Sequence, residues 1–169
     1  MPRCVAPEVS VIRQWSVEES IVIGSRPDAV FRAVSDVRRM GEWSPECRAV
    51  WLCQRPVREG SFFIGFNRRG LALWFTSCRV TCCDPGQEFT FRVSAFGLPV
   101  AHWGYRFEPA SDGSTIVTEC WRDLRTGRGA RLTELLGLIF TATRPVDRAR
   151  VNRAGMRTTL TRLKQTCEA

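Results

Sequence analysis

Val100-Ala101-His102-Trp103-Gly104-Tyr105-Arg106-Phe107-Glu108 runs through the turn Ser111-Asp112-Gly113 into Ser114-Thr115-Ile116-Val117-Thr118-Glu119-Cys120-Trp121-Arg122-Asp123. In both halves large apolar side chains recur at every second position: Trp103, Tyr105, Phe107, then Val117 and Trp121. A period of two marks strands with one buried and one wet face, and Asp-Gly between them marks a hairpin. Upstream the same pattern continues through Trp74, Thr76, Cys78 and Val80, then Phe89, Phe91 and Val93. Twelve of the seventeen aromatic side chains lie between Phe62 and Asp123. One face of one antiparallel sheet is loaded with rings, and it needs a cover.

The cover follows. From about Leu132 the chain is expected to be helical towards Cys167, with Pro145 bending or restarting it. Ala149, Asn152, Met156, Leu160, Leu163 and Cys167 repeat at three and four, one stripe facing the sheet. Where this helix does not reach, the rings are expected to border a cavity. Ahead of the aromatic stretch, Trp15–Ile23 alternates as a first strand. Pro27 and Asp28 open a short helix through Val30, Phe31 and Val34, and a second short turn ends at Pro45. Further strands are expected at Cys47–Gln54, Phe62–Asn67, Leu71–Cys83 and Glu88–Ala95, with Arg68-Arg69-Gly70 as a tight turn and Gly97-Leu98-Pro99 as a break.

A chain of 169 residues suits one domain spanning residues 1–169, able to bury roughly 70% of its unfolded surface. No run of eighteen apolar residues exists, so membrane insertion is not expected. Met1–Ile12 lacks the plan of a secretory signal, and a cytoplasmic location is expected. Eight cysteines without an export signal read as free thiols. There is no Cys-x-x-Cys and one histidine, so no metal and no cofactor are expected. The net charge of +8 comes from twenty-four arginines and one lysine. They are dispersed, with denser stretches at Arg122–Arg131 and Arg144–Arg162 that read as solvated basic faces, an anionic ligand or acidic partner being the alternative, and no nucleic-acid partner is expected.

Several local phrases, in order, carry a resemblance. They are Ser20-Ile21-Val22-Ile23 before Arg26-Pro27-Asp28-Ala29-Val30-Phe31, then Glu42-Trp43-Ser44-Pro45, Trp103-Gly104-Tyr105-Arg106-Phe107-Glu108-Pro109 and Val117-Thr118-Glu119. Asn152-Arg153-Ala154-Gly155-Met156-Arg157 follows, with Leu160 and Leu163-Lys164. Nearly the whole chain resembles the helix-grip fold of the START and birch-pollen-allergen superfamily (SRPBCC), in its bacterial polyketide cyclase/dehydrase-like subgroup. The resemblance implies an α+β architecture, a seven-stranded antiparallel sheet gripping the last helix around an apolar tunnel, with two short helices after the first strand. It leaves activity open, since that superfamily includes aromatase/cyclases, lipid carriers, hormone receptors and quinone-binding proteins.

The candidate chemistry is sparse. Glu119 has inward parity between Val117 and Trp121, where a carboxylate is costly unless paired or wet. It is the candidate acid or base, unless a bulge turns it outward or an arginine neutralises it. Glu19 has the same parity on the first strand and could share a proton with Glu119, or lie at the wet end. Tyr105, the only tyrosine, could donate to a substrate oxygen or be a core tyrosine. Trp43, Trp74, Phe91, Trp103, Trp121 and Asn152 are the candidate ligand-binding residues, core packing being the alternative for the rings. His102 has outward parity; Arg68 and Arg69 lie near the expected mouth, where they could attract an anionic ligand head, an exposed turn being the default; Cys78 reads as buried and inert. Two readings follow: a cyclase/aromatase or dehydratase-like enzyme acting on a polyketide-type substrate, or a carrier of a lipid, quinone or other apolar ligand without chemistry. Either would act as a monomer or homodimer.

Overall fold

The computed structural model describes residues 13–126, Leu135 and residues 143–169. The expected helical start near Leu132 lies outside them. In chain order the elements are β1 (Ser16–Ile23), α1 (Pro27–Ser35), a 3-10 turn (Val37–Arg39) and α2 (Met40–Trp43). Six strands follow, β2 (Cys47–Leu52), β3 (Phe62–Arg69), β4 (Ala72–Asp84), β5 (Glu88–Ala95), β6 (Leu98–Pro109) and β7 (Thr115–Asp123), and then α3 (Pro145–Glu168). The strands form one sheet in the order β1-β7-β6-β5-β4-β3-β2, every pair antiparallel. The architecture is α+β, an antiparallel sheet curved around a long C-terminal helix.

Both helices that matter begin on proline. Arg26 and Arg144 are extended, as a residue before proline prefers, and Pro27 and Pro145 stand in the first turns of α1 and α3. Pro145 therefore starts a helix rather than bending one. The α3 stripe buries Ala149, Asn152, Met156, Thr159, Leu160 and Leu163. At one end of the concave face α1 fills the space: the Phe31 ring meets Phe89 and Phe107 edge-on, at centroid distances of 6.4 and 5.9 Å. That end is core. The cavity is left to the other end, where α1 does not reach.

Two turns differ from expectation. Strand β3 continues through Arg68 and Arg69, which pair with Leu73 and Ala72, so the turn is Gly70-Leu71 with Gly70 at φ +58°. Pro99 does not break β6. It stands opposite Ser94 where the β5–β6 register shifts, a position in which its missing N–H is tolerated. Phe96 and Gly97, at φ +51° and +79°, form the hairpin between Ala95 and Leu98.

Candidate functional site

A cavity of about 330 Å³ lies between the ring-bearing face and α3, near the lower end of the roughly 300–1,000 Å³ typical of small-molecule sites. Its floor is built by Phe63, Phe91, Val93, Trp103 and Trp121, its roof by Asn152, Met156 and Thr159, and its opening by Leu73, Phe75 and Phe96. Period two explains the floor: Trp103 on β6 stands opposite Phe91 on β5 and opposite Trp121 on β7, so the three rings share one face. Trp74, Phe91, Trp103, Trp121 and Asn152 all line the cavity.

Trp43 does not. It is among the fully buried side chains, packed in the core with the Arg39 guanidinium 5.6 Å from its ring. Its helix α2 offers Met40 to the cavity instead. Period-two parity assigns faces only on strands, and Trp43 stands on a single turn of helix.

Glu119 and Tyr105 are opposite one another on β7 and β6, and both line the cavity. The Tyr105 hydroxyl donates to Glu119 Oε1 at 2.8 Å. Glu119 is 3% exposed, and burial pushes its carboxyl up to about 8, the Tyr105 hydrogen bond acting in the opposite direction. Burial, then the neighbouring Glu119, raises the Tyr105 hydroxyl well above its ordinary value. At neutral pH the pair is a carboxylic acid and a phenol. The second carboxyl oxygen, Oε2, is buried and has no hydrogen-bond partner.

Glu19 behaves differently. It stands opposite Glu119 in the β1–β7 register and faces the same side, but α3 lies over β1. Arg157 Nε donates to Glu19 Oε2 at 3.0 Å and Arg153 Nε stands 3.1 Å from Oε1. Glu19 is absent from the cavity lining, and arginines claim its carboxyl.

His102 is absent from the cavity lining and bonds Thr81 through Nε2 at 2.9 Å. Arg68 donates to the Gly70 carbonyl, and Arg69 to Thr143 Oγ1 at 2.6 Å. Cys78 lines the cavity with its thiol pushed by burial to about 12, which makes it a poor nucleophile. The seven described cysteines are free thiols. Among the described residues no cluster of His, Cys, Asp and Glu could hold a metal ion, and no helix is long and apolar enough to cross a membrane.

Arg122, Arg144, Arg150, Arg157 and Arg162 are exposed, as a solvated basic face requires, but Arg125 and Arg148 of the same stretches are not. Arg125 is buried, clamped on both oxygens of Asp123 at 2.9 and 2.7 Å, and Arg148 donates to Glu46 Oε2 at 2.9 Å. Both line the cavity. The carboxylate two residues before Arg125 was a visible cue; Glu46, 102 residues from Arg148, was not.

Comparison with solved structures returns the same architecture. A polyketide-cyclase-like protein from Corynebacterium glutamicum is 28% identical, with a TM-score of 0.59 over 90% of this chain and 91% of that one. The Zhui aromatase/cyclase from Streptomyces sp. R1128 is 13% identical, with a TM-score of 0.65 over 90% and 93%. The di-domain aromatase/cyclase StfQ from the steffimycin biosynthetic pathway is 16% identical, with a TM-score of 0.66 over 90% of this chain and 50% of that one. The last two speak for the helix-grip fold alone. No curated protein matches the chain. Residues 14–168 match the family described as polyketide cyclase / dehydrase and lipid transport, and the chain belongs to that family.

Proposed function

We propose that this protein is a cyclase/aromatase or dehydratase-like enzyme acting on a polyketide-type substrate, with Glu119 as its acid–base group and Tyr105 as the residue that positions it. One observation carries this: a buried carboxyl, unpartnered on one oxygen, opens on an aromatic cavity. At pH 7 a carboxyl titrating near 8 is neutral in about nine molecules of ten. It can therefore donate to a carbonyl oxygen as a ring closes, or, as the minor carboxylate, accept a carbon-bound proton. In a dehydration the carboxylate takes the proton α to a ketone and returns it to the departing β-hydroxyl. A C=C bond forms, water leaves, and Glu119 ends as it began. The ring-lined walls hold the chain in a reactive conformation. The proposal carries with it a bacterial cytoplasmic location, a monomer or homodimer, and no nucleic-acid partner.

The test is dehydration of an aryl β-hydroxy ketone probe, followed through the absorbance of the conjugated enone. Glu119→Gln should lower turnover by roughly 10²-fold or more while the protein stays folded. Unchanged turnover would remove Glu119 from the chemistry. The predominantly apolar lining favours a second reading, carriage of a lipid, quinone or other apolar ligand. Under it no turnover exists and Glu119→Gln leaves ligand affinity nearly unchanged.

A further inference from the structure

The cavity's polar groups beyond the Tyr105–Glu119 pair include two unmade donors on one helix face. Arg148 and Asn152 stand four residues apart on α3, about 6 Å along its axis and on one side, and both line the cavity. Asn152 is 4% exposed, and its Nδ2 has no hydrogen-bond partner. Arg148 commits Nη2 to Glu46, while its buried Nη1 has no partner. A buried donor left unmade is costly, more so when charged. An asparagine amide can turn over to offer its oxygen, but a guanidinium carries donors only, so Arg148 sets the polarity of this corner.

The surrounding charge has the same sign. Glu46 is shared between Arg148 at 2.9 Å and Arg69 at 3.8 Å. Asp123 is shared between Arg125 at 2.7 Å and Arg13 at 2.8 Å. The Glu46 group sets two guanidinium ions against one carboxylate and keeps a positive charge beside the cavity. Glu119 adds no negative charge while it holds its proton.

We propose that Arg148 and Asn152 form a head-group subsite that takes a carboxylate at one end of an otherwise apolar ligand, whose rings lie against Phe91, Trp103 and Met156. This rests on the cavity being the ligand site. It adds what the ligand carries: acceptor oxygen with negative charge, where an all-apolar lipid or a neutral quinone has none. Arg148 Nη1 and Asn152 Nδ2 donate to the two carboxylate oxygens. Charge-assisted bonds of this kind are the stronger class, and the apolar walls shield them from water.

The test is a matched pair of probes, anthracene-2-carboxylate and its methyl ester, titrated by quenching of tryptophan fluorescence. The acid should bind the wild-type protein about tenfold or more tighter than the ester. In Arg148→Met that preference should fall to within about twofold, with the ester unchanged, because only the charged donor is gone. Asn152→Ala keeps Arg148 paired to Glu46 and should weaken the acid alone; near-UV circular dichroism checks that each variant is folded. If Arg148→Met does not fold, the wild-type comparison and Asn152→Ala decide. Equal binding of acid and ester by the wild type, or a preference that survives in folded Arg148→Met, would overturn the subsite and leave the Glu119 proposal standing. Absence of binding by both probes would overturn the cavity as a ligand site, and the subsite with it.

Discussion

Glu119→Gln keeps the volume of the side chain and a carbonyl oxygen for the Tyr105 hydroxyl, and removes one titration. The Glu119 carboxyl moves from an ordinary 4.5 to about 8 on folding, so between those values the folded protein holds a proton that the unfolded chain has released. Stability then falls as pH rises through this window. Below 4.5 both states are protonated and the ionisation penalty is absent; above 8 neither is, and the penalty is complete. Integrating between pH 5 and pH 8 gives roughly 3–4 kcal/mol, an upper figure because water entry and side-chain relaxation soften the cost of a buried charge. The glutamine variant has no such dependence. Urea denaturation of both proteins across this range should show the variant within about 1 kcal/mol of wild type at pH 5. It should be more stable by several kcal/mol at pH 8, with all other titrating groups cancelling in the difference. A difference that stays constant across the range would mean that Glu119 is ionised throughout and satisfied by a partner, and the acid–base argument would lose its basis.

Glu19→Gln serves as the matched control. Its partners Arg153 and Arg157 are substantially exposed, with side-chain exposures of 41% and 67%, so stability should change by less than about 1 kcal/mol and turnover of the β-hydroxy ketone probe not at all. A large loss of turnover would join Glu19 to the site. Gly104→Ala probes the packing behind Tyr105. Its Cβ would stand 2.7 Å from Thr90 Cγ2 and 2.9 Å from Cys120 Sγ, so the urea midpoint should fall by the equivalent of about 1–3 kcal/mol. An unchanged midpoint would show that both short side chains turn aside freely.

Much of this site is readable because strand parity is a strict rule. Every second residue of β5, β6 and β7 faces the helix, and that alone puts Phe91, Trp103, Tyr105, Glu119 and Trp121 inside and His102 outside. The three-and-four spacing of α3 does the same for Asn152. What resists reading is any property that depends on a meeting of distant segments. Arg148 reads as one more basic residue on a polar helix until Glu46 is brought to it. Arg69 reads as a turn residue until strand pairing carries β3 two residues further. The rings give no hint of which end of the face is packed and which is hollow. That is decided by Phe31, which fills the Phe89–Phe107 end.

Glu19 and Glu119 show how far tertiary placement can separate chemically identical positions. They are register partners on adjacent antiparallel strands, on the same face, each flanked by apolar neighbours. Sequence logic treats them alike. Because α3 lies over β1, Glu19 falls beneath the helix's basic flank and is held by two arginines, whereas Glu119 falls on the hollow side, where only a phenol reaches it. One carboxyl is compensated by charge and the other by keeping its proton. A proton held in that way is available to whatever enters the cavity. A guanidinium paired with Glu119, as those of Arg153 and Arg157 are with Glu19, would abolish it; among the described residues the hydrogen-bond partner of Glu119 is Tyr105, and that difference in partner separates the two positions.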